Sequence, residues 1–183
     1  MIEAPPHPRE KIRLNVLRDT GLFNNLQEAE YERFVTVASG IADTPIALLS
    51  LIGENSQWFK AKIGLGVNET PRNVSFCGHA ILSERDPLVV EDATFDMRFC
   101  DNPLVAGDPG IRFYAGIPIR LSADRLPIGT ICVIDKKPRK LTEDKIAALA
   151  ALGEILEHFI TSKMRIAKLE AAMIPPASVM RRP

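Results

Sequence analysis

The chain has 183 residues, with 23 Lys+Arg against 23 Asp+Glu and a formal net charge of zero. That length suits one domain with a real core, and a hydrophobic content of 46% fits a folded protein and not a disordered one. Charge balance argues against nucleic acid as a partner, because phosphate contacts demand a basic excess, and no basic amphipathic stripe addresses a membrane surface.

The N-terminal stretch MIEAPPHPREKIRL lacks a secretory apolar run. The longest apolar run, PIALLSLIG at 45–53, falls far short of the ~20 residues that span a bilayer. Three widely spaced cysteines, at 77, 100 and 132, predict free thiols in a reducing cytoplasm.

Residues 1–7 are Pro-rich and predicted to be loose. A first helix is expected over 8–23, with Ile12, Leu14, Val16 and Leu17 only partly on a helical period and Gly21 closing it. A second, over 25–43, has Leu26, Ala29, Phe34, Val37, Ala38 and Ile41 on one face and Asn24 or Asn25 as its cap. PIALLSLIG reads as a buried strand, and SQWFKAKIG (56–64) as its hairpin partner across Gly53–Glu54–Asn55. Residues 64–73 read as loop, 75–85 as a short helix capped by Ser75, and 87–92 as a strand.

Residues 93–111, rich in Asp, Asn, Pro and Gly, form a long irregular segment with short helical turns, of the kind that serves as a lid or binding loop. Two strands, 112–121 and 127–135, flank the polar turn SADR. In the second, Ile128, Thr130, Cys132 and Ile134 alternate with Gly129, Ile131 and Val133. Both sets are mostly apolar, so the sheet is expected to be covered on both faces. The first two helices and the last can cover one; residues 64–111 are left for the other. The last helix begins after Thr142 and runs to about Met173, before Pro175–Pro176. Leu152, Phe159, Ile166 and Met173 recur every seven residues, with Leu149 and Leu156 alongside, which suggests a partner helix. The expected organisation is a domain at 8–162, a helical extension at 163–174 and a flexible tail at 175–183.

This order and the strings PIALLSLIGENSQWFKAKIGL, ETPRNVSFCGHAIL, PLVVEDATFDMRFCDNPLV, IRFYAGIPI and IGTICVIDKKPRKLT resemble the GAF domain. The likeness is to GAF domains attached to bacterial histidine kinases and diguanylate cyclases, and it spans about residues 10–160. It implies an α+β, PAS-related fold: an antiparallel sheet of about six strands, helices on one face and a loop and short-helix cover over a ligand pocket on the other. It also implies a non-catalytic sensory module for two-component or related signal transduction, which binds a small molecule and forms a homodimer through terminal helices. No output domain is apparent before Pro183, so a signalling partner in trans is expected. A scaffold that dimerises without a ligand is an alternative.

Residues i and i+2 of a helix point about 200° apart, so Cys77 and His79 are not a nucleophile–base pair. The expected placement is a short helix with Gly78 flat against the sheet. No paired Cys or His spacing suggests zinc, and no metal or cofactor is expected. The chain also resembles the GAF-type free methionine-(R)-sulfoxide reductases, where Cys100 and Cys77 fall at cysteine positions. The resolving cysteine of those enzymes falls near Val67, and their acidic residues near Tyr114 and Val133, leaving Asp135 as the one acid. The Cys-Gly-His spacing departs from a bilin attachment site, and the cyclic-nucleotide motif is absent. A pocket is therefore expected, with Trp58, Phe76, Phe99, Phe113 and Tyr114 as aromatic walls and Cys77, His79, Asp92, Asn102 and Arg112 as its other contacts.

Overall fold

All seven residues of the strand β1 (Ile46–Ile52) are buried, and so are all ten of β6 (Leu126–Asp135). A strand with nothing wet on either face needs a layer on each side of its sheet. The computed structural model, which describes residues 1–23, 29–83 and 87–173, supplies both layers. The sheet is six-stranded and antiparallel, in the order β3-β2-β1-β6-β5-β4, with β2 (Ser56–Ile63), β3 (Glu69–Pro71), β4 (Leu88–Val90) and β5 (Phe113–Leu121) completing it. Strand β3 lies inside the expected loop at 64–73. Its three residues carry no apolar period, and it exists through backbone pairing of Glu69, Thr70 and Pro71 with the edge of β2.

On one face, Leu49, Leu51, Phe113, Ala115, Ile131 and Val133 meet the helices α1 (Glu10–Asp19), α2 (Ala29–Ala42) and α5 (Glu143–Met173). On the other, Ile46, Leu48, Tyr114, Cys132 and Ile134 meet the segment 64–111, which contains the short helices α3 (Phe76–Ala80) and α4 (Pro103–Ala106). Ile128 departs from the expected alternation. A bulge between Ile119 and Arg120 lets one step of β5 span two of β6, and Ile128 turns to the helical face, away from Thr130 and Cys132.

The helices bury narrower stripes than their apolar content suggests. In α2 the stripe is Tyr31, Val35, Ala38 and Ala42. Val37 lies about 200° round the helix from Val35 and is exposed. Of the expected helix over 75–85, the described residues form the short α3, capped by Ser75 Oγ accepting from Gly78 N at 2.9 Å, and residues 84–85 lie outside the described residues. The proposed caps Asn24 and Asn25, Leu26 and the tail at 175–183 lie outside the described residues. Residues 1–7, expected to be loose, form no regular element, but Ile2 N donates to Arg98 O and Gly78 faces Ala4, not the sheet. The expected seven-residue row runs along α5: Leu149, Leu152 and Leu156 enter the core, whereas Ile166 and Met173 are exposed. Among the described residues no helix is long and apolar enough to cross a membrane.

Helix α1 is fixed by a buried cation. Arg13 has no exposed surface, donates to Ile52 O at 2.8 Å, and forks onto Glu10 at 2.5 and 3.1 Å. Glu10 also takes Arg72 at 2.6 Å, tying α1 to the segment after β3. Burial pushes the Glu10 carboxyl up, but hydrogen bonds from Arg13 and Arg72 outweigh it and bring it from 4.5 to about 2. Truncating Arg13 removes two of the hydrogen bonds to the Glu10 carboxylate and leaves the buried Ile52 O without its guanidinium donor, so Arg13→Ala should lower stability by roughly 3 kcal/mol in urea denaturation. The Glu10 contribution is complete above about pH 4.5 and is lost as the pH falls toward 2. The stability difference between the parent and Glu10→Gln should therefore shrink across that interval, and a difference independent of pH would contradict the pairing.

Candidate functional site

Between the second face of the sheet and its irregular cover lies a cavity of about 310 Å³. That volume matches a small ligand, at the lower end of the range such pockets occupy. Ile46 and Leu48 of β1, Phe59 of β2, Tyr114 of β5 and Ile134 of β6 form its floor. Phe76 and Cys77 of α3 form one wall, and Leu65, Leu104 and Ile111 contribute to the others. Gln57, Thr70 and Asp108 give it polar points. Gln57 is buried; its Nε2 donates to Thr70 Oγ1 at 3.3 Å and its Oε1 accepts from Ser75 Oγ. One amide thus joins the edge strand β3 to the cap of α3 across the cavity.

Tyr114 lies flat because position 116 is glycine. A Cβ there would stand 2.0 Å from the Tyr114 hydroxyl oxygen. The phenol donates to Cys77 Sγ at 3.3 Å, and burial pushes its own pKa well up. Cys77 Sγ lies 3.7 Å from Cys132 Sγ and 3.5 Å from Ser50 Oγ. Burial raises the Cys77 thiol, but the adjoining Cys132 thiol and the Tyr114 phenol that donates to it prevail and lower it. Cys132, held by its hydrogen bond to Cys77 and then by burial, moves the other way.

Three of the ten expected pocket residues line this cavity: Phe76, Cys77 and Tyr114. Trp58 and Phe113 do not, because strand parity sends them to the helical face. Trp58 pairs across the ladder with Leu51 of the helical core and stands edge-on to Phe23 at 5.5 Å; Phe113 belongs to that core itself. The other five build the cover. Phe99 stacks on Phe76 at 3.9 Å, and His79 meets Phe99 edge-on while its Nε2 lies 2.9 Å from Ile2 O. Burial lowers the His79 pKa, which keeps the ring neutral near pH 7. Asp92 caps the turn at 93–95, Asn102 caps α4 and donates to Val74 O, and Arg112 donates to Val105 O and Ile111 O.

Each of these polar groups satisfies the backbone of a segment that has no ladder of its own. Gln57 and Phe59 join the lining from β2, where their place in the hairpin after β1 is the available signal, and Thr70 joins it from β3, whose residues carry no pattern. Cys100 is exposed and outside the cavity lining. Asp135, the one acid expected for sulfoxide chemistry, is bound to Arg139 and Lys137 N. Among the described residues no three His, Cys, Asp or Glu side chains group as metal ligands.

Comparison with known proteins gives this architecture its class. The sequence pattern of the GAF domain matches residues 24–159, and the chain belongs to the GAF domain family. In sequence it is similar to a cyclic di-GMP phosphodiesterase of Pseudomonas aeruginosa, at 42% identity over 157 residues. That match covers 85% of the chain but spans only 25% of the relative. In fold it is similar to the GAF domain of an Acinetobacter phosphoenolpyruvate-protein phosphotransferase, at TM-score 0.60 and 17% identity, covering 86% of this chain and 98% of that one. It is likewise similar to a free methionine-R-sulfoxide reductase of Neisseria meningitidis in complex with its substrate, at TM-score 0.60 and 17% identity, covering 91% and 98%.

Because Gln57 joins two sides of the cavity, Gln57→Ala leaves Ser75 Oγ and Thr70 Oγ1 without that partner. Thermal or urea denaturation should show a loss of about 1–3 kcal/mol. A neutral change would mean that the amide plays no part in holding the cover to the sheet.

Proposed function

We propose that this chain is a non-catalytic regulatory GAF module that binds a small, mainly apolar molecule in the cavity between sheet and cover and works in cytoplasmic signalling. The observation that carries the reading is the apolar cavity of about 310 Å³, with Gln57, Thr70 and Asp108 as its polar points. Similarity to a segment that makes up 25% of a cyclic di-GMP phosphodiesterase supports a signalling setting. The outward position of Cys100 and the ion pair on Asp135 favour binding over sulfoxide reduction.

Ligand contact would bias the packing of the cover and, through the sheet, of α5. A ligand can shift an equilibrium only by its difference in affinity for the two states. The exposed end of α5, with Ile166, Leu169 and Met173, is the proposed contact with a second copy or with a partner protein.

The test is a thermal-shift screen of small metabolites against the parent and Leu65→Trp, which fills the cavity from a half-buried loop position. A binding compound at 100 times its Kd should add about 2.7 kcal/mol to the parent and nothing to the variant. Equal shifts in both would put the site elsewhere, and no shift with any compound would favour a ligand-free scaffold. Separately, Ile166→Glu should convert a dimer to a monomer in sedimentation, and an unchanged mass would remove α5 from the interface.

A further inference from the structure

We propose that Cys77 and Cys132 form a peroxide-oxidisable dithiol, in which Cys77 is the attacking sulfur and Cys132 resolves it to an internal disulfide. This requires no bound ligand and stands apart from the regulatory reading. Three observations carry it. The two sulfurs are 3.7 Å apart and both buried, although 55 residues separate them in the chain. Cys77 lines the cavity and Cys132 does not, so a small oxidant that enters meets one thiol first. The sulfur that it meets also lies 3.3 Å from the Tyr114 phenol and 3.5 Å from the Ser50 hydroxyl, both placed to stabilise a thiolate. The lowered pKa of Cys77 and the raised one of Cys132 agree with this division of roles.

The chemistry balances with hydrogen peroxide as the oxidant. The Cys77 thiolate attacks one peroxide oxygen; an S–O bond forms, the O–O bond breaks, and the departing hydroxide takes up the proton that Cys77 lost, giving water and a sulfenic acid. The Cys132 sulfur then attacks the Cys77 sulfur. An S–S bond forms, the S–O bond breaks, and the hydroxyl leaves as water with the Cys132 proton. Two thiols are oxidised by two electrons and one peroxide is reduced to two waters.

Closing the pair requires the sulfurs to approach by about 1.7 Å, to the ~2.0 Å of a disulfide. Cys132 sits in the middle of the sheet, paired to Leu48 on one side and Gly116 on the other. The five-residue helix α3 is therefore the element that moves, and it carries the cavity-lining Phe76 with it. Oxidation would thus reshape the cavity wall.

The experiment treats the native chain with hydrogen peroxide, quenches with catalase, denatures, alkylates free thiols and maps the cysteines by mass spectrometry. The expected result is a loss of two hydrogens, a Cys77–Cys132 cross-link and an alkylated Cys100. In Cys132→Ser, dimedone should capture a sulfenic acid at Cys77. The proposal is overturned if Cys77 and Cys132 remain alkylatable at peroxide doses that consume the exposed Cys100, or if the cross-link includes Cys100. Because the first arm uses the unaltered protein, a variant that fails to fold does not obscure the outcome.

Discussion

The structure depends on a sheet whose central strands tolerate water on neither face. Strands β1, β5 and β6 present apolar side chains up and down, and each layer of cover follows from that. The helical side solves the problem with regular elements, which satisfy their own backbone groups. The opposite side solves it with a segment that is mostly irregular. Such a segment can lie on an apolar surface only if side chains satisfy its backbone. Ser75, Asp92, Asn102 and Arg112 do this, each hydrogen-bonding to main chain of the cover or its caps.

This explains why the fold was legible in the sequence and much of the site was not. Apolar runs on both faces of 45–53 and 127–135 identify a doubly covered sheet, and chain order leaves 64–111 for one layer. Strand parity then decides what reaches the cavity. Trp58 and Phe113 sit beside residues that face it, but one step along a strand reverses the side chain, and ladder partners such as Leu51 for Trp58 are invisible without the pairing. Bulges compound this, as Ile128 shows. The polar residues of the long loop resembled ligand contacts because caps and ligand groups draw on the same residue types. Strand β3 is invisible for another reason: Glu69–Thr70–Pro71 has no pattern, and its pairing comes from the edge of β2.

The cavity is a consequence of these two kinds of layer. Helices close tightly on a sheet, whereas short turns held by single side chains leave gaps, and here the gap lies above Leu48, Phe59 and Tyr114. Gly116 lets Tyr114 lie down and point its hydroxyl at Cys77, so one glycine sets both the floor of the chamber and the surroundings of the buried thiols. Helix α3 belongs to the chamber wall and to the thiol pair at once. A molecule in the chamber and the redox state of the sulfurs would therefore act on the same five residues.

The mid-chain segment closes an apolar chamber against the sheet, and xenon reports on this directly. Dry apolar cavities take up xenon, whereas solvated surface grooves do not hold it in one place. Crystals of the protein pressurised with the gas should show a xenon atom between Leu48, Phe59 and Tyr114. Ordered water filling that space, with no xenon there, would contradict the account.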